Sequence, residues 1–147
     1  MKAVLQRVSS SWVKIDEKEV ARIATGYNIL LGVMHDDNEQ DIEKLIKKII
    51  NLRIFPNEEG KFDKNIVQVG GEILVVSQFT LAANCKRGNR PDFTQAMPPK
   101  EAKRLYEEFV TKLAEHINVQ TGEFGAMMEV GIINDGPVTI VLDSKEL

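Results

Sequence analysis

Among its 147 residues the chain has one cysteine, two histidines, one tryptophan and five prolines, and it has no long apolar run. Each shortage removes a class of protein. A lone Cys85 excludes an intrachain disulfide and any cysteine-rich zinc site. His35 and His116 stand far apart without ligand-spaced neighbours, so both read as surface residues and no metal centre is expected. No stretch of ~18 apolar residues is present to span a membrane. Met1 to Arg7 has neither an apolar leader nor a small-residue cleavage site, which points to a cytoplasmic protein. Gly70-Gly71 leads into no helix, so no phosphate-cradling glycine fingerprint exists and no cofactor is expected.

Charge is equally restrained. A net charge of -3 argues against a broadly basic nucleic-acid binder. It leaves room for a patch, and Lys86, Arg87, Arg90, Lys100, Lys103 and Arg104 do crowd one span. A solvated loop and helix face would account for them without a ligand.

What remains is ordinary globular material, 43% apolar and 28% charged, enough for one domain over residues 1–147. Residues 2–8 alternate like a strand, with Arg7 inside it. That arginine is either an edge charge or a buried guanidinium fixing carbonyls elsewhere. Trp12–Ile15 and Val20–Ala24 predict a hairpin around Asp16-Glu17-Lys18. Tyr27–Met34 predicts a buried strand. A helix follows, with Asn38 as N-cap, Asp41 in the capping-box region, and Ile42, Leu45, Ile46, Ile49 and Ile50 as its apolar stripe. Arg53–Phe55 and, more weakly, Asn65–Val69 read as short strands.

Ile73-Leu74-Val75-Val76 is the strongest strand and runs into Ser77-Gln78-Phe79-Thr80-Leu81. Pro98-Pro99 announces a second helix, striped by Ala102, Leu105, Tyr106, Phe109, Val110 and Leu113 and fading near Asn118. Phe124 opens another extended run. Asn134-Asp135-Gly136-Pro137 then reads as a turn between apolar segments. Its proline is either a stiffener or a route to a sharp, carbonyl-exposing cis bond. Short strands with two amphipathic helices give an α+β fold, its sheets curled into a barrel-like body with both helices packed outside.

Ser77, Gln78 and Thr80 sit where a rigid strand end fixes side chains. No histidine or lysine is suggested beside them to activate a hydroxyl. Backbone N–H groups and the Gln78 amide suit a carbonyl and its developing oxyanion. Structural capping of the strand end is the competing reading. Cys85 beside Lys86 and Arg87 lacks a base and reads as an inert surface thiol.

Seven segments together resemble the D-aminoacyl-tRNA deacylases of the bacterial and eukaryotic type: Gln6-Arg7-Val8, Leu31-Gly32-Val33, Arg53-Ile54-Phe55, Ser77–Leu81, Gly88–Phe93, Gln120–Phe124 and Asn134–Thr139. They run in order from the first strand to the last. Asp92, where a serine is common, and Cys85 depart from the family's pattern on the tRNA-facing loop. The resemblance implies hydrolysis of the ester between a D-amino acid, or glycine on alanine tRNA, and the 3′-terminal adenosine of aminoacyl-tRNA. It implies a homodimer in which Gly136-Pro137, as a cis dipeptide held by Arg7, enters the partner's site and excludes L side chains. Phe79 and Thr80 would supply oxyanion-binding N–H groups, and Ser77 and Gln78 would order the pocket. Phe124 and Met128 would line the adenosine site. Thr80 matches a residue once cast as nucleophile; with no base beside it, water assisted by the tRNA 2′-hydroxyl is the preferred route. Lys86, Arg87 and Arg90 would meet phosphate. Two rivals stay open: a non-catalytic RNA-binding module, and a small-molecule esterase using Thr80.

Overall fold

Strand β1 (Lys2–Ile15) is the spine of the computed structural model, which describes all residues from Met1 to Leu147. Its first half pairs antiparallel with β3 (Gly26–Gly32) and its second half with β2 (Lys18–Ile23). Asp16 and Glu17, both with positive φ, make the β1–β2 turn, so the expected hairpin is present. Along its other edge β1 pairs with the last strand, β8 (Glu129–Asp143). β3 continues in parallel to β6 (Glu72–Ser77), and β6 in parallel to β7 (Asn118–Thr121). The hydrogen-bonded order is β2-β1-β3-β6-β7, yet β2 also touches β6 and β7. Terminal strands that meet in space mean a sheet curled almost shut. The barrel-like α+β expectation is borne out.

Helix α1 (Glu39–Asn51) starts at the capping box read from Asn38: Gln40 N–H donates to Asn38 Oδ1 and Asn38 N–H to Asp41 Oδ2, each 2.9 Å. Helix α2 (Pro99–Leu113) opens on proline at its first turn, where a missing N–H is harmless. Both stripes bury as expected. Ile42, Leu45 and Ile49 of α1 and Leu105, Phe109 and Leu113 of α2 meet Leu5, Tyr27, Ile29 and Ile73 on the sheet's convex face. A smaller cluster of Val8, Val13, Ala21, Ile23, Leu74 and Val76 fills the inside of the curl. One polar knot pins the strand ends to α1. Ser144 Oγ donates to Asp41 Oδ1 (2.7 Å), while the Met1 amino group donates to Ser144 Oγ (2.7 Å) and Asp37 Oδ1 (2.6 Å).

Four local expectations need correction. Asn65–Val69 is not a strand: Asn65 and Gln68 bond each other's backbone N–H, closing a turn over 66–70. Arg53–Phe55 is reduced to β4 (Phe55–Pro56), paired with β5 (Phe62–Lys64). Phe124 lies in a turn, with Ala126 N–H bonded to Glu123 O (3.2 Å), and extended structure resumes only at Glu129. Finally, Asn134–Thr139 does not reverse the chain. Segments before and after it both pair with β1 in the same direction, as one strand.

Candidate active site

The end of β6 sets the first half of the site. Gln78 N–H donates to Leu31 O (2.8 Å), extending the β3–β6 ladder one residue, and Phe79–Ala82 then tighten into a single 3-10 turn. Phe79 and Thr80 open that turn, so their N–H groups have no carbonyl ahead of them within it, and no side chain caps them. The Gln78 amide nitrogen donates to Thr80 Oγ1 (2.5 Å), which fixes both side chains. Gly32 is needed beneath this turn, because a Cβ there would stand 2.9 Å from Leu81 Cβ.

Beside the turn opens a cavity of about 650 Å³, floored by Val76, Ser77 and Gln78 and walled by Phe79, Phe124 and Met128. No charged residue lines it. Phe124 packs against Tyr106 with ring centroids 5.6 Å apart, and Tyr106 is itself anchored by donating to Val75 O (3.1 Å). Burial pushes the Tyr106 hydroxyl up to about 12, so it stays protonated as a donor. Thr80 has no histidine, lysine or carboxylate within bonding distance. The arrangement can hold a neutral, partly apolar group and offer N–H donors at its edge. It has no side chain to take a proton.

The second half is a bulge in β8. Between Asn134 and Thr139, which face Val8 and Gln6, stand Asp135 to Val138, where β1 has Arg7 alone. The surplus loops outward as Gly136-Pro137, exposed and joined by a cis peptide bond. Asn134 staples the loop's base: its Oδ1 accepts from Val138 N–H (3.0 Å) and its Nδ2 donates to Thr139 Oγ1 (2.8 Å). Arg7 lies underneath, 7% exposed. Its Nε donates to Asp135 O (3.1 Å) and its Nη1 to Ile54 O (2.7 Å), with the Phe62 ring 5.8 Å away. The buried-guanidinium reading of Arg7 is the one that holds. Gly136 has φ +125, and a Cβ on it would sit 2.9 Å from Val138 Cγ2 and 3.0 Å from Arg7 Nη2.

The family model described as D-Tyr-tRNA(Tyr) deacylase matches residues 4–143. The chain belongs to that family.

Among curated relatives, the D-aminoacyl-tRNA deacylase of a Nitratiruptor species is 71% identical over all of both chains, and that of Aquifex aeolicus 57%. A solved structure of a c-Myc DNA unwinding element binding protein superposes with TM-score 0.93 at 41% identity, covering 97% of this chain and 98% of that one. A probable eukaryotic D-amino acid tRNA deacylase, at 16% identity and TM-score 0.83 over 96% of this chain and 97% of that one, shares the fold. The resemblance read from the sequence is borne out, and the chain is a hydrolase of the D-aminoacyl-tRNA deacylase family.

Within one chain the expected site residues fall into two groups. Ser77, Gln78, Phe79, Phe124 and Met128 share the cavity, with Thr80 bonded to Gln78 at its edge. Arg7, Gly136 and Pro137 form the other group and line none of it. Sequence reasoning missed Phe93 and Met127 on the cavity wall, and the carbonyl of Ile54 that Arg7 grips. Ile54 and Phe93 had a signal, inside the Arg53-Ile54-Phe55 and Gly88–Phe93 segments of the resemblance; Met127 had none. His35 also comes to the same surface cleft as Cys85, against expectation, although its ring nitrogen contacts Gln95 O (3.3 Å). No cluster of three potential metal ligands exists, and no helix is long and apolar enough to cross a membrane.

Proposed function

We propose that the chain hydrolyses the ester joining a D-amino acid to the 3′-terminal adenosine of tRNA, with glycine on alanine tRNA as a second substrate. The observation that carries this reading is a cavity free of charged groups, bordered by Phe79, the first residue of an uncapped turn whose leading N–H groups are free. The adenine stacks on Phe124, with Met128 against it, as aromatic faces accept bases. Phe79 and Thr80 N–H groups bind the ester carbonyl and strengthen as it becomes an oxyanion. Water attacks the carbonyl carbon, and the ester C–O bond breaks. The proton reaches the departing 3′-oxygen with help from the ribose 2′-hydroxyl, leaving free amino acid and intact tRNA. Ser77 and Gln78 hold the pocket, and the isolation of Thr80 from any base disfavours a threonyl ester.

Chirality is set by exclusion. Gly136 and Pro137 of a second copy meet the cavity, their carbonyls facing the α-carbon and leaving no room for an L side chain. Glycine, with no side chain, passes. Support for a homodimer comes from the bulge itself, which is exposed and lines none of its own cavity, and from Ile133 and Val141, 49% and 72% exposed on the same strand. Lys86, Arg87 and Arg90 contact phosphate, so binding weakens with salt. The chain acts in the cytoplasm as a single domain, in translational proofreading.

Release of tyrosine from D-Tyr-tRNA and L-Tyr-tRNA tests the reading. Hydrolysis of the D form alone is expected. Equal rates would sink the exclusion mechanism, and hydrolysis of neither would favour an RNA-binding module.

A further inference from the structure

Two aromatic surfaces meet the cavity, and the reading above uses one, the Phe124 face backed by Tyr106. Phe79 and Phe93 form a separate pair, edge to face with centroids 5.1 Å apart. Only the backbone N–H of Phe79 has been given work, yet its side chain is 59% exposed, and Met127 on the same cavity is 91% exposed. Large apolar side chains grouped on a rim are unusual without something to cover them. What covers them is neutral at this point, because no charged residue lines the cavity.

Charge enters one step further along the chain. Phe93 directly follows a neck where Asn84 and Asp92 exchange both backbone hydrogen bonds (2.8 and 2.9 Å). The loop closed by that neck carries Lys86, Arg87 and Arg90, all exposed. A π-rich neutral rim tethered beside a cationic loop complements one nucleotide, base on the rings and phosphate on the loop. Met127 adds a flexible, polarizable side chain that adapts to a ring edge.

We propose that Phe79, Phe93 and Met127 form a second base subsite, which stacks the penultimate nucleotide of the tRNA 3′ end while its phosphate faces the Lys86–Arg90 loop. This rests on the deacylase reading above. It makes recognition of that nucleotide a matter of stacking, tolerant of base identity, with no hydrogen-bond readout required.

The test compares D-tyrosyl-adenosine with its D-tyrosyl dinucleotide CpA, hydrolysed by the parent protein, Phe93→Ala and Met127→Ser. The parent is expected to prefer the dinucleotide by about tenfold in kcat/KM, the size of one stacked base. In Phe93→Ala that preference falls to about twofold or less, and in Phe93→Trp it survives. Met127 is so exposed that Met127→Ser cannot disturb the core, and it lowers the same ratio by about threefold. Replacing CpA by UpA or ApA leaves the parent's preference in place. No preference in the parent, or a preference untouched by both substitutions, overturns the subsite. Equal losses on both substrates in Phe93→Ala also overturn it, because the rim would then seat the amino-acid side chain. D-Tyr-tRNA is run alongside: cleavage of it but of neither short ester overturns the subsite, and cleavage of none of the three sinks the deacylase reading and the subsite with it.

Discussion

The two halves of the site are built in opposite ways. The cavity half is concave, uncharged and held by the turn that follows β6, where the Gln78 and Thr80 side chains bond each other. The bulge half is convex, exposed and polar, held from beneath by one arginine and from the side by one asparagine. A cavity with donors but nothing to define handedness is incomplete, and a rigid protrusion with nothing opposite it has no evident purpose. Put together, each supplies what the other lacks. On the proposed reading, the cavity half binds and stabilises, while the bulge half completes the wall around the α-carbon and rejects L side chains.

Breaking the bulge should have the largest effect. Gly136→Ala places a methyl against Val138 and Arg7 in a backbone region L residues rarely adopt. D-Tyr-tRNA hydrolysis is expected to fall about 100-fold, as a misplacement near 1 Å does, and the strained backbone should lower the melting temperature as well. Arg7→Lys comes next. Lysine cannot keep two bonds at the guanidinium's fixed angles, so the Asp135 and Ile54 carbonyls lose a partner. Urea unfolding should show a loss of about 2 kcal/mol. The ratio of D to L hydrolysis should drop more than the D rate itself. A ratio that held while stability fell would mean that Arg7 only supports the fold.

How far all this was legible in the sequence follows the same division. The helices and β6 were readable because their apolar periodicity and caps are local signals. Ser77 to Leu81 was readable as a strand end for the same reason. The bulge was not, because Asn134-Asp135-Gly136-Pro137 carries turn chemistry, and only its pairing with β1 on both sides shows that the chain runs straight on. Arg7 was locally ambiguous, and assigned only through the resemblance, because a guanidinium's acceptors, here carbonyls 47 and 128 residues away, leave no mark nearby. Strand β7 was hidden for a similar reason: Asn118–Thr121 is short, and its neighbour β6 supplies the order. Phe93 and Met127 sit on loops without periodicity, so no local pattern joined them to the cavity, although Phe93 closes the Gly88–Phe93 segment of the resemblance.

The cavity half can be sharpened by smaller effects. Thr80→Ala removes the acceptor of the Gln78 amide and, on the proposed water route, no nucleophile, so D-Tyr-tRNA hydrolysis should fall by less than about tenfold. Near-total loss with intact folding would restore a threonyl ester. Acid should separate the fold from the site. Burial pushes the Asp41 carboxyl up, but hydrogen bonds from Ser144, the Asn38 N–H and Lys145 outweigh it, and its pKa falls from 3.8 to about 2. A depressed folded value means that stability from Asp41 is fully present above the unfolded value and is lost as pH falls from about 4 to about 2. Unfolding midpoints across that window should decline in the parent and flatten in Asp41→Asn.

If one chain's bulge completes the other's cavity, two variants damaged in opposite halves should rescue each other. Gly136→Ala spoils the bulge, and Ala126→Trp fills the cavity. Each variant alone should be inactive on D-Tyr-tRNA. Unfolded and refolded together, they should form mixed dimers in which one site has an intact cavity from one chain and an intact bulge from the other. About a quarter of the parent's activity should return, because half the dimers are mixed and each carries one good site. No recovery, with mixed dimers present, would contradict the account.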